Sequence, residues 1–233
     1  MTTLVIPDIH NHTDSAEQQI GRYAADQVVL LGDYFDNIGD TPEIARRTAE
    51  WLNRSLRDPK RIHLWGNHDL AYAFPEDIGF FCPGYTVEKH AEVSQVLNWK
   101  EHWSKLKLVH FVGDFALSHA GISRDIFGEN PTQAKVEAQC LEAMDQARLG
   151  DAPHEGVFAN EGIVWQRWFL MDCLSEFHQI VGHTPMEKPG IEMEKGRLNV
   201  CLDTYGRYIG WIEDGELSII DTHKDERRIL RAE

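Results

Sequence analysis

Residues able to bind a metal ion or move a proton recur in this sequence directly after short apolar runs. Leu4-Val5-Ile6 leads through Pro7 to Asp8-Ile9-His10, and Val28-Val29-Leu30-Leu31 leads to Gly32-Asp33 and then Asp36. Ile62-His63-Leu64-Trp65 precedes Gly66-Asn67-His68-Asp69, Phe115-Ala116-Leu117-Ser118 precedes His119-Ala120-Gly121, and Ile180-Val181 precedes Gly182-His183-Thr184-Pro185. Singly, each pattern is weak, because a lone histidine after a strand is more often a hydrogen-bonded structural residue than a ligand. In order, they supply the carboxylates of Asp8 and Asp33, the imidazoles of His10, His119 and His183, and the amide oxygen of Asn67. That set suits divalent ions such as Mn, Fe or Zn and suits copper(I) poorly.

The elements around these clusters predict how they could meet. Short apolar runs closed by turn residues read as buried strands. Between the first two runs, residues 14–26 read as a helix with Asp14 or Ser15 as N-cap. Between the second and third, Thr41-Pro42-Glu43 supplies a cap and a proline at the first helical position, followed by Ile44, Trp51, Leu52 and Leu56. Strand–helix–strand–helix–strand at these lengths is a βαβαβ unit with a parallel sheet. In such open sheets the ligand site lies beyond the carboxyl ends of the strands, so all five clusters are expected to converge on one crevice. Residues 71–110, rich in aromatic side chains, read as a mainly helical insertion beside the site whose aromatics pack core and lid. Residues 131–149 read as another helix, from Pro131 to the stop at Gly150, and 150–162 as a loop. From Leu198 to Ile220 the pattern alternates like antiparallel strands about the turn Glu213-Asp214-Gly215, implying a mixed sheet or a second one.

Composition narrows the function classes. The 233 residues carry 23 Lys and Arg against 38 Asp and Glu, a formal charge of −15 at pH 7. Nucleic-acid affinity comes largely from Lys and Arg neutralising phosphates, so no nucleic-acid partner is expected. The aromatic segment also lacks the interleaved basic residues of a base-stacking platform. No apolar stretch reaches the ~20 residues that a bilayer span needs, and no membrane association is expected. Met1-Thr2-Thr3 runs straight into Leu4 without a basic and then apolar leader, from which a cytoplasmic location is expected. Cys82, Cys140, Cys173 and Cys201 lie far apart with no CxxC pair and read as buried or half-buried thiols. No repeat or low-complexity linker interrupts the chain, so one domain over residues 1–233 is expected.

The ordered set Asp8-x-His10, Gly32-Asp33-x-x-Asp36, Gly66-Asn67-His68-Asp69, His119 and Gly182-His183 resembles the calcineurin-like metallophosphoesterases. It is most similar to the branch of phosphoprotein phosphatases and symmetrical diadenosine-tetraphosphate hydrolases, and the resemblance runs from Asp8 to about Asp203. It implies an α/β fold, an α/β/β/α sandwich of mixed sheets with flanking helices. It further implies that Asp8 and His10 bind a first metal, that Asp33 bridges two, and that Asn67, His119 and His183 complete the second site. Manganese is the ion expected, with iron or zinc as alternatives. Two cations ~3.5–4 Å apart can clamp the attacking and leaving oxygens of an in-line displacement and lower the pKa of a shared water. They also keep the pocket locally positive in an acidic protein. His68 is then the general acid that protonates the leaving group, and Asp36 fixes its tautomer and raises its pKa.

The chain departs from that family in two places. Asn37 follows the second Asp of GDxxD, where many phosphoprotein phosphatases carry a phosphate-clamping Arg. Trp165-Gln166-Arg167 resembles the W-x-R segment of bacterial and phage members, which makes Arg167 the candidate substrate contact beside Asn67; the alternative is a surface ion pair. Gly182-His183-Thr184-Pro185 lacks the second His of GHxH, which favours the phosphatase branch and leaves the first metal site more open to water. The function implied is hydrolysis of phosphate monoesters, on phosphoprotein or small molecules, by water activated at a dinuclear centre. A symmetrical dinucleoside polyphosphate hydrolase is the alternative, and a non-catalytic scaffold on the same fold is the alternative from another class. His12 reads as a solvated residue at a helix start, Asp69 as a structural residue of its turn, and Asp203-Thr204 as a structural or supporting pair.

Overall fold

A strand apolar on both faces must be covered on both, and this condition organises the N-terminal half. The computed structural model describes residues 1–150, 154–174, 176–194 and 196–231. The chain runs β1 (Thr2–Ile6), α1 (Thr13–Tyr23), β2 (Gln27–Leu30), α2 (Pro42–Ser55), β3 (Arg61–His63), α3 (Asn67–Ala73), α4 (Val87–Ser94), β4 (Val109–Val112) and β5 (Phe115–Ser118). It continues through α5 (Arg124–Phe127), α6 (Gln133–Arg148), β6 (His178–Val181), β7 (Gly190–Glu194), β8 (Arg197–Cys201), β9 (Tyr208–Glu213), β10 (Glu216–Asp221) and β11 (Glu226–Leu230). Leu4, Ile6, Val28 and Leu30 share one apolar cluster with Ala16 of α1 and Ala45, Ala49 and Leu52 of α2. The alternate residues Val5 and Val29 belong to another, with Leu117, Ile180, Val200 and Ile212. The second cluster joins the two sheets, and the first binds the helices to the sheet.

The two sheets are mixed. One has the order β11-β10-β9-β1-β2-β3, with β1, β2 and β3 parallel and the others antiparallel. The other has the order β4-β5-β6-β8-β7; β5, β6 and β8 are parallel and the edge strands antiparallel. The expected βαβαβ unit is therefore present, within the expected mixed α/β sandwich. Both readings of the C-terminal alternation hold for different strands: β8 joins the second sheet, and the β9–β10 hairpin extends the first.

Helix ends follow local chemistry. The Thr41 side chain accepts a hydrogen bond from the Ile44 N–H (3.4 Å), and Pro42 opens α2. Helix α1 begins earlier than expected, at Thr13, with His12 in the N-cap place making no side-chain cap bond. It stops at Tyr23 because Ala24 turns left-handed (φ 45°) and its N–H bonds back to the Ile20 carbonyl. Helix α6 starts at Gln133 after its cap Thr132. Segment 71–110 is not mainly helical. It holds the end of α3, the 8-residue α4 and single 3-10 turns at Ile78–Phe80 and Trp103–Lys105, and then enters β4. Pro75, Gly79, Pro83 and Gly84 interrupt any longer helix. Aromatic packing holds the segment instead: the Trp65 ring lies 5.5 Å from Trp103 and 6.2 Å from Trp99, and Phe80 is buried against Phe74. In the expected loop 150–162, Gly156–Phe158 forms a 3-10 turn, and residues 151–153 lie outside the described residues. Among the described residues, no helix is long and apolar enough to cross a membrane.

One buried group makes folding pH-sensitive. His63 sits between the Ser55 hydroxyl and the Tyr34 hydroxyl, both at 3.0 Å. Burial, and then the Arg61 charge, push its imidazole down to about 3 from 6.5. The folded state thus holds His63 neutral while the unfolded chain protonates it below pH 6.5, so its stability contribution is lost as pH falls from 6.5 toward 3. Denaturant titrations should show the wild type losing about 2 kcal/mol more than His63→Gln between pH 6.5 and about 5. Parallel pH profiles would refute this.

Candidate metal centre

The parallel strands of both sheets deliver their C-terminal residues to one place. Asp8 and His10 follow β1, Asp33 follows β2, Asn67 follows β3, His119 follows β5 and His183 follows β6. Backbone bonds lock these turns together. The Ile9 and His10 N–H groups donate to the Asp33 carbonyl (3.1 and 2.7 Å), and the Gly182 N–H donates to the His119 carbonyl (2.8 Å). The His183 N–H donates to the Asp8 carboxylate (2.9 Å) across the two sheets. All six residues expected to bind metal are therefore neighbours.

Their ligand atoms form two groups, Asp8–His10–Asp33 and Asp33–His119–His183, each with its atoms within 4.8 Å of one another. Asp33 belongs to both. His10 Nε2 lies 3.6 Å from Asp33 Oδ2, and His119 Nε2 lies 3.4 Å from Asp33 Oδ1 and 3.0 Å from Asn67 Oδ1. Asn67 spends its NH2 on the Cys82 sulfur (3.1 Å), which turns its oxygen toward the group. The imidazoles are oriented by carbonyls: His10 Nδ1 faces the Phe35 carbonyl (2.9 Å), His119 Nδ1 the Leu31 carbonyl (2.9 Å) and His183 Nε2 the Trp165 carbonyl (3.0 Å). A carbonyl only accepts, so these nitrogens carry protons, and the opposite nitrogen of each ring is the one a metal ion could take.

The electrostatics fit divalent cations. Asp8 and Asp33 are buried, and among the described residues no lysine or arginine pairs with either. Burial, then Asp33, pushes the Asp8 carboxyl up against the pull of His119. Burial also works against the Asp33 charge, but His119, His68 and His10 outweigh it and hold that carboxyl well below its ordinary value. Burial opposes a charged His119 too, yet Asp33 and Asp8 push the imidazole up to about 10. Burial, then His119, pushes His183 down to about 3, leaving it neutral and ready to ligate. Buried acceptors gathered around few donors demand positive charge, and a cation shared through Asp33 meets that demand.

Close approach has backbone requirements. His10, Asp33, Asp36 and His183 all have left-handed φ, at 40°, 50°, 63° and 65°, a conformation costing of order 1–3 kcal/mol in a non-glycine residue. A Cβ on Gly66 would overlap the Asp33 side chain, and one on Gly182 would overlap the Asp8 carboxylate. Asp69 pins two of the turns: its carboxylate accepts from the Asp33 and Gly66 N–H groups (2.9 Å each) and from the Tyr34 N–H (2.8 Å). Burial, then the charge of Asp33, pushes Asp69 up to about 7.

A cleft of about 740 Å³ opens beside this centre, lined in part by Asp8, His10, Asp36, Asn37, His68 and Asp203. His68 Nδ1 lies 3.2 Å from Asp36 Oδ2, and the His68 ring stands 5.2 Å from that of His10. Asp203 is buried, and burial, then Asp8, pushes its carboxyl up to about 7. Exposed His12 pairs with the Asn37 amide (3.0 Å). Arg167 is exposed and does not line the cleft; it donates to the His183 carbonyl at 3.2 Å, which keeps it beside the second ligand group. Sequence reasoning missed Tyr72 and Lys89, which reach Asp36 across 36 and 53 residues of chain. No local pattern marks them, because their partner is remote in sequence.

The sequence profile of the calcineurin-like phosphoesterases matches residues 1–220. None of the curated proteins compared with the chain matches it. Among solved structures, the chain is similar to a cold-active protein-tyrosine phosphatase from a psychrophilic Shewanella, at 17% identity and a TM-score of 0.64 over 99% of this chain and 80% of that one. It is similar to a protein serine/threonine phosphatase from Saccharomyces cerevisiae at 12% identity and a TM-score of 0.55, covering 95% and 73%. The phosphoesterase Yfce from E. coli gives 13% identity and a TM-score of 0.52, covering 100% of both chains. At these identities the likeness shows the fold.

If Asp33 joins both ligand groups in one centre, Asp33→Asn should lose both bound ions, whereas His183→Ala should keep the one held by Asp8 and His10. Calorimetric titration with Mn²⁺ and metal analysis after dialysis measure this. Full stoichiometry in Asp33→Asn would disprove the sharing.

Proposed function

The chain belongs to the calcineurin-like phosphoesterase family, and from that premise we propose that it hydrolyses phosphate monoesters, of a phosphoprotein or a small molecule, at a dinuclear metal centre. The observation carrying this reading is Asp33, common to two ligand groups, since a shared carboxylate lowers the repulsion between neighbouring cations. Asp8 and His10 would hold one ion and Asn67, His119 and His183 the other, with manganese the ion proposed. Such ions supply Lewis-acid polarisation of the phosphoryl oxygens and a water of lowered pKa.

The remaining work falls to the chain. His68 commits Nδ1 to Asp36, which leaves Nε2 to donate a proton to the leaving-group oxygen. Burial disfavours a protonated His68, but Asp33 and the hydrogen bond to Asp36 outweigh it and raise its pKa above 6.5. Arg167 spends one N–H on the His183 carbonyl, and its other N–H groups serve as a phosphate clamp, the task that Asn37 cannot perform.

Turnover of p-nitrophenyl phosphate, a phosphopeptide and diadenosine tetraphosphate, compared in one Mn²⁺ buffer, tests the reading. Monoester turnover should dominate; preference for the dinucleotide would replace it with polyphosphate hydrolysis, and no turnover by the metal-loaded protein would make it a scaffold. His68→Ala should lower kcat by about 10² with metal content intact, and by less when the leaving group needs no proton. Arg167→Ala should mainly raise KM; an unchanged KM would remove Arg167 from the site.

A further inference from the structure

Lys89 is 4% exposed, and a buried ammonium requires partners for its charge and its protons. Its Nζ donates to Asp36 Oδ1 (3.3 Å), to the Gly84 carbonyl (2.7 Å) and to Asp40. Three N–H groups meet three acceptors, so none remains for a substrate phosphate. Lys89 therefore does not replace the arginine that Asn37 displaces, although it lines the same cleft.

Its partners point elsewhere. Asp36 uses Oδ2 for His68 Nδ1 and Oδ1 for the Tyr72 hydroxyl (2.6 Å) and Lys89. Asp36 has left-handed φ (63°), so contacts, and not a favoured backbone well, hold its carboxylate in place. The turn at Gly84 (φ 104°) passes so close that a Cβ there would stand 2.9 Å from Asp36 Cβ. Asp40 in turn accepts from the Asn11 side chain (2.8 Å) and the Asn37 N–H (3.3 Å). One ammonium thus joins α4, the turn at Gly84 and the loop from Asp36 to Asp40, with the turn after His10 attached through Asn11.

We propose that Lys89, assisted by Tyr72, is a positioning residue: it fixes the Asp36 carboxylate so that Asp36 presents the His68 imidazole to the leaving group. This rests on the reading of His68 as the proton donor. A merely structural Lys89 would affect all substrates alike, whereas a residue acting through His68 affects those whose leaving group needs a proton.

The experiment compares an alkyl phosphate with p-nitrophenyl phosphate in the metal-loaded wild type, His68→Ala, Lys89→Met and Tyr72→Phe, with metal content and thermal melting measured for each. Lys89→Met should lower kcat for the alkyl ester about tenfold more than for the nitrophenyl ester, with KM within about twofold. Tyr72→Phe, which orphans no charge, should show the same bias at about threefold. If Lys89→Met fails to fold, Tyr72→Phe and Lys89→Met combined with Asp40→Asn decide the question. Equal losses on both esters in these variants, beside a biased loss in His68→Ala, would overturn the role of Lys89 alone. An unbiased loss in His68→Ala would overturn His68 as the acid, and the inference with it.

Discussion

Two carboxylates buried within reach of one another, Asp8 and Asp33, set the terms for the rest of the structure. Taking such charges out of water costs several kcal/mol each after relaxation, and among the described residues no lysine or arginine offsets them. The groups that surround them are imidazoles and an amide oxygen: without a metal ion the imidazoles, His119 above all, carry the compensating protons, and with one they can give up those protons and ligate it. The chemistry of these groups suits a metal ion. A nearby guanidinium would neutralise Asp33 and occupy the space a cation needs.

Meeting that constraint requires chain turns at the ends of parallel strands from both sheets to approach more closely than ordinary side chains permit. Gly66 and Gly182 make room for the two carboxylates, and the residues that carry chemistry take the strain, with left-handed φ at His10, Asp33, Asp36 and His183. Strain of this kind persists only where the surroundings over-determine it. Here the surroundings are the apolar layers on both faces of β1 and β2 and the Asp69 carboxylate, which accepts from the Asp33 and Gly66 N–H groups and so ties their two turns together. Asp69 touches no ligand atom of the two groups in a hydrogen bond, yet it holds the turns that present two of them.

The ligand groups and the His68–Asp36 pair are supported by different parts of the chain. The turns past the parallel strands place the candidate ligand atoms, and backbone bonds between those turns hold them together. The chain from α3 to β4 instead supports the His68–Asp36 pair: Tyr72 of α3 and Lys89 of α4 both meet the Asp36 carboxylate, and Trp99 and Trp103 stack on Trp65.

What the sequence determined by itself was local. An apolar run followed by a glycine or proline and a polar residue announces a strand and its exit, so the five strands that carry Asp8, Asp33, Asn67, His119 and His183 were legible, as were α2 and its Thr41 cap. That these polar residues gather in one place was legible because each sits one to four residues past such an exit. Segment 71–110 was misread as mainly helical because its aromatic residues carry no period, and their order comes from stacking with Trp65 and not from helix propensity. Only the tertiary structure decided which imidazole nitrogen faces the centre, that Arg167 stands beside His183 outside the cleft, and that Lys89 closes on Asp36. Each of these depends on contacts between segments distant along the chain, whose geometry is set by how the two sheets and the irregular segment pack, and no short stretch of sequence contains that information.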